Sequence, residues 1–98
     1  MPVALTARER THLKGRAHPL EPTVQVGHAG LTDSVVTELD RALTAHGLIK
    51  VRINGDDRDV RQEIIQAIQD RTDAAIVHKV GKIVVLWRPR PEENTVGS

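Results

Sequence analysis

The chain has 98 residues, enough for one compact domain and too few for two. Apolar residues make up 39% and charged residues 28%, so a modest core lies under a well-solvated surface, and a formal charge of +1 excludes a polycation. The absence of cysteine excludes disulfides and thiolate metal sites and fits a reducing cytoplasm, no apolar run approaches the roughly 20 residues of a membrane span, and the first residues lack a secretory pattern.

Thr6-Ala7-Arg8-Glu9 is a capping box that opens a first helix. This helix is expected to reach Lys14 or Arg16, weakened by Gly15 and stopped by Pro19. It is basic: up to residue 20, Arg8, Arg10, Lys14 and Arg16 stand against Glu9 alone, and His12 and His18 add partial charge near neutral pH. Such a patch can bind polyanions even when the total charge is close to zero.

Thr23-Val24-Gln25-Val26 alternates as a strand does, and Gly27-His28-Ala29-Gly30 ends it. Thr32 is the expected N-cap of a second helix, with Asp33 favourable to its dipole. Val35, Val36, Leu39 and Leu43 recur on one face, and Gly47 follows His46 as the stop. A second strand covers 48–53, with Ile49, Val51 and Ile53 facing one way and Lys50 and Arg52 the other. Asn54-Gly55-Asp56-Asp57 turns into a third helix whose apolar face is expected to hold Val60, Ile64, Ala67 and Ile68, ending near Arg71 or Thr72. Two apolar strands follow, 75–80 and 83–87, joined by Gly81-Lys82 as a two-residue turn. Pro89 and Pro91 stop the last strand, and 91–98 reads as a polar tail expected to be disordered.

The order α-β-α-β-α-β-β predicts a single α/β domain over 5–90 with a four-stranded mixed sheet. Right-handed crossovers join its strand-helix-strand units, and a terminal hairpin supplies the antiparallel pair. The unbroken run Ile83-Val84-Val85-Leu86-Trp87 suits a strand buried on both faces. Two helices are then expected on one face of the sheet and the first helix on part of the other.

The loop Gly27, His28, Ala29, Gly30 is the sharpest functional feature. It precedes a helix N-terminus, where unpaired amides and the positive dipole end suit phosphate, and glycines let a nucleic-acid backbone approach. A GxxG clamp of this kind serves KH domains. The same four residues also describe a plain tight turn requiring positive φ. Around the loop, Arg10, Lys14, Arg16, Lys50, Arg52, Lys82 and Arg88 could form one anion-binding surface or remain separate solvated charges. His28 could donate to phosphate. One Trp and no Phe or Tyr point away from base stacking on the sheet and towards backbone and shape. Asp56, Asp57, Asp59 and Glu63 read as helix-capping charge rather than a metal or acid-base site. The five histidines lack metal-ligand spacing, Trp87 reads as core, and no nucleophile set is visible. The expectation is therefore a protein without cofactor, metal or catalysis, an RNA binder or, alternatively, a protein-interaction module on ribosomal or translation factors.

The segment from His12 to Leu20, the GxxG at Gly27 to Gly30, the strand Leu48-Ile49-Lys50-Val51-Arg52-Ile53, and Gly81-Lys82 through Leu86-Trp87-Arg88 occur in the order found in CRM (chloroplast RNA splicing and ribosome maturation) domains of the YhbY type, which this chain resembles. The resemblance implies a fold similar to the C-terminal domain of translation initiation factor three. It implies RNA binding, with precursors of the large ribosomal subunit as partner; the chain itself is expected to be a monomer. It carries the RNA-contacting loop onto Gly27, His28, Ala29 and Gly30, and the basic helix and turn onto Lys14, Arg16 and His18. The chain departs from the pattern at Glu21, where a basic residue is common, at Asp73, where glycine is common, and at Trp87, where tyrosine is usual.

Overall fold

A computed structural model describes residues 5–89; the expected tail over 91–98 lies outside the described residues. The elements follow the expected order: α1 (Ala7–Ala17), β1 (Pro22–Val26), α2 (Asp33–His46), β2 (Leu48–Ile53), α3 (Arg58–Thr72), β3 (Ala75–Val80) and β4 (Ile83–Trp87). Each helix begins at a side-chain cap. The Thr6 amide donates to Glu9 Oε1 at 3.0 Å and the Glu9 amide to Thr6 Oγ1 at 3.1 Å, and the Thr6 amide, then its hydroxyl, hold the Glu9 carboxyl below its ordinary pKa. Thr32 Oγ1 accepts from the Val35 amide at 3.2 Å, and Asp57 Oδ1 accepts from the amides of Asp59 and Val60. α1 runs past Gly15 to Ala17, because Leu13 and Ala17 are buried against the sheet and that packing outweighs the propensity cost of one exposed glycine. Gly47 (φ +76°) closes α2, and Asp73 closes α3 in the left-handed region (φ +59°), a conformation that glycine adopts more easily.

The sheet order is β1-β2-β4-β3. β1 and β2 are parallel, while β4 pairs antiparallel with both β2 and β3. The last strand thus lies between two earlier ones. Its burial on both faces follows from that place: Val84 and Leu86 join the core beneath α2 and α3, and Val85 packs with Leu13 and Ala17 of α1. The larger core holds Leu39, Leu43, Ile49, Val51, Ile53 and Ile68, each almost inaccessible. Burial of each such side chain is worth about 1.5–3 kcal/mol.

One local correction concerns burial. Val60 is exposed at 48% and Ile65 is buried at 5%, so the apolar face of α3 is rotated from the expected one. Val60 stands in the first turn, beyond the reach of the core. β3 carries a bulge between Ile76 and His78, so that Val77 and His78 both stand opposite Val85 and turn to the α1 face. Among the described residues no helix is long and apolar enough to cross a membrane.

Candidate nucleic-acid interface

β1 and β2 end side by side, Val26 opposite Ile53, and the Asn54 amide donates to the Val26 carbonyl at 2.9 Å. The GxxG loop leaves the sheet at this end and leads into the N-terminus of α2. The Gly30 amide donates to the Gly27 carbonyl at 3.0 Å, and the Thr32 amide to the Gly30 carbonyl at 3.1 Å. Within the loop the Gly30 amide is therefore turned inward, in correction of the expectation that the amides there are unpaired. The amides of His28, Ala29 and Leu31 have no acceptor among the described residues. Only Gly30 needs to be glycine on backbone grounds, at φ +77°; a Cβ at either Gly27 or Gly30 would meet nothing within 4 Å, so both are open to an approaching ligand. His28 and Ala29 are exposed.

β2 supplies the adjoining charge. Lys50 and Arg52 alternate onto the α1 face, and Arg52 stands opposite Gln25, two residues before the loop. Arg52 Nε donates to Asn54 Oδ1 at 3.2 Å, which ties the guanidinium to the residue that follows β2. Lys50 Nζ donates to the His18 carbonyl at 3.2 Å and so ties the end of α1 to β2. Between α1 and the sheet lies a cleft of about 270 Å³ lined in part by Lys14, His18, Lys50 and His78. Burial, and then the charge of Lys14, lower the pKa of His78 from its ordinary value.

Of the remaining expected cations, Arg10, Arg16 and Arg88 lie elsewhere, and Lys82 stands at the loop end of the sheet, where its carbonyl accepts from the Ile53 amide at 2.8 Å. Arg10 lines a groove with Gln62 and Lys79 at the β3 edge. Arg16 lines another with Glu21, His46 and Leu48, where β1 and β2 begin. Lys82 is paired with Asp56 at 3.2 Å. Arg88 is the clearest departure from a shared surface. Its amide donates to the Gly47 carbonyl at 2.8 Å, at the opposite end of β2 from the loop and about 20 Å away by strand rise. Its guanidinium pairs with Asp40 at 2.8 Å and donates to the Thr72 and Asp40 carbonyls and to Thr44 Oγ1. His78 was not among the expected site residues; strict alternation puts it on the face of Ile76, and no sequence signal marks the bulge that moves it.

The CRS1/YhbY (CRM) domain model matches residues 5–88. A Haemophilus influenzae protein named an RNA-binding protein is 47% identical over 88 residues, covering 90% of this chain and 89% of its own. A Pseudomonas aeruginosa protein, a candidate RNA binder by name, is 34% identical over 92 residues, covering 94% of this chain and 88% of its own. The solution structure of a Staphylococcus aureus protein, also described as a candidate RNA binder, superposes with a TM-score of 0.77 at 26% identity, over 88% of this chain and 90% of that one. On sequence and fold together, the chain belongs to the CRS1/YhbY (CRM) domain family.

Proposed function

We propose that the protein binds structured RNA without catalysing its conversion, and that its target is ribosomal RNA in a precursor of the large ribosomal subunit. The single observation that carries this reading is that Lys14, His18 and Lys50 line one cleft on the α1 face and Arg52 follows Lys50 on the same strand face, towards the end of the sheet where the GxxG loop begins. Phosphates on the loop amides and the N-terminus of α2 would fix the RNA, and the cations would hold its flanking backbone. Arg10 and Arg16 flank this surface and would add longer-range attraction. The relatives' names and the family support RNA as the partner class.

The test is RNA affinity, on structured ribosomal RNA fragments, of wild type beside Gly30→Glu and Ala29→Glu. Position 29 has no positive φ, so the second variant introduces the carboxylate without backbone strain. Both folded variants should lose binding. Unchanged affinity in folded Ala29→Glu would reduce the loop to a turn and favour a protein partner, whose capture should then survive nuclease treatment.

A further inference from the structure

Base stacking looks unavailable to a chain with one Trp and no Phe or Tyr, but that tally omits five histidines. Imidazole rings also stack on unpaired bases. Two of the five, His18 and His78, line the cleft between α1 and the sheet. We infer that this cleft receives one unstacked nucleotide of the bound RNA, its base on the apolar floor of Ala17, Val80, Ile83 and Val85 and its phosphate between Lys14 and Lys50.

The cleft has the composition such a ligand requires. Its volume of about 270 Å³ is near the lower end of small-ligand sites, roughly 300 Å³. The floor is aliphatic, the rim cationic, and no carboxylate lines it. A purely electrostatic backbone track has no use for an aliphatic floor, and a purely apolar groove has no use for two lysines. Lys50 is half-buried and held by the His18 carbonyl, so its ammonium is already positioned. The β3 bulge turns His78 into the cleft, opposite Val85. The cleft adjoins Arg52 through Lys50 on the same strand face, which places it one step along the surface from the GxxG loop.

The groups that face His78 are Lys14 and His18 from α1, Lys50 from β2, and Ile83 and Val85 from β4. All the ionisable members are basic, and burial first, then the charge of Lys14, disfavour the imidazolium in the free protein. A phosphate would supply the missing counter-charge, and occupancy should draw a proton onto His78. Binding at the cleft should therefore strengthen as pH falls towards the depressed pKa of His78 in the free protein.

The inference rests on the RNA reading for the source of the nucleotide, so the experiment separates the two. The full chain is titrated with each ribonucleoside 5′-monophosphate and, separately, with inorganic phosphate, followed by NMR of the methyl and imidazole signals. The monophosphates should move the methyls of Val80, Ile83 and Val85 and the His78 ring, and Lys14→Ala should weaken that binding about tenfold. Inorganic phosphate should leave the methyls in place. Still methyls with every monophosphate would overturn the cleft assignment. In parallel, Val80→Glu, at an exposed position that tolerates change, should lower RNA affinity at least fivefold. Full RNA affinity in Val80→Glu, with binding lost in Ala29→Glu, would overturn the cleft as an RNA site and leave the loop reading standing. Full affinity in Ala29→Glu would end the loop reading, and the nucleotide titration would still decide the cleft.

Discussion

Arg88 and Arg52 look alike in the sequence, each a cation at or beside an apolar strand, and the structure gives them opposite tasks. Arg52 is exposed beside the loop, whereas Arg88 joins α2, the end of α3 and the end of β4 through Asp40, Thr44 and Thr72. Arg88→Ala should lower stability by about 2 kcal/mol in urea denaturation, because it leaves the Thr72 carbonyl without its donor. RNA affinity of the folded variant should stay within twofold; a larger loss would return Arg88 to the interface. Nothing local separates the two arginines, since the partners of Arg88 lie 16 to 48 residues away. His78 gives a second test. Its folded pKa is below the ordinary 6.5, so folding favours the neutral ring, and the stability this contributes is present above 6.5 and lost as pH falls through the depressed folded value. Thermal melts should therefore show an acid-side loss of stability, beginning near 6.5, that is reduced in His78→Gln. An identical pH profile in the two proteins would exclude that coupling.

Among the elements, α2 carries the opposing tendencies. Its N-terminus offers free amides to phosphate, yet Asp33 in the first turn places a carboxylate there, neutralised in part by Arg71 at 2.8 Å. Asp33→Asn should tighten RNA binding about threefold while lowering helix stability by about 0.5 kcal/mol. Equal affinity would mean that the RNA does not reach the helix end. The helix starts were legible because Thr6, Thr32 and Asp57 are strong local signals that require only three or four residues of context. The face of α3 was less so: Val60, Ile64 and Ile68 have good helical spacing, and only the position of the sheet decides that Ile65 replaces Val60 inside. The strand parity of β3 was hidden for a similar reason, as a bulge depends on the partner strand as much as on its own residues.

At the scale of the whole molecule, a chain of charge +1 is read as an RNA binder because its cations are placed, not because they are numerous. Salt dependence reports how many are used. Removing Lys14 or Arg52 should each reduce the slope of log affinity against log salt by about 0.7–0.9, and removing Arg16 by less. Equal reductions at all three would indicate a diffuse cationic field instead of a defined track. The fold class and all seven elements were legible from periodicity and turn residues. The grouping of the basic residues was not, because it depends on how α1 crosses the sheet, and a short amphipathic helix does not encode its own crossing angle.

The insertion of β4 between β2 and β3 also governs the order in which the molecule can come into being. A nascent chain that has reached residue 82 contains three helices and three strands, but β3 has no neighbour to bond and β2 lacks one of its two. The central ladder forms only when β4 has been synthesised, so assembly waits for that strand and should then proceed in one step. A fragment ending at Lys82 should remain without a cooperative melt, and a separate peptide spanning 83–89 should restore one by complementation. The GxxG loop, although synthesised earlier, would acquire its fixed geometry only once β4 is in place.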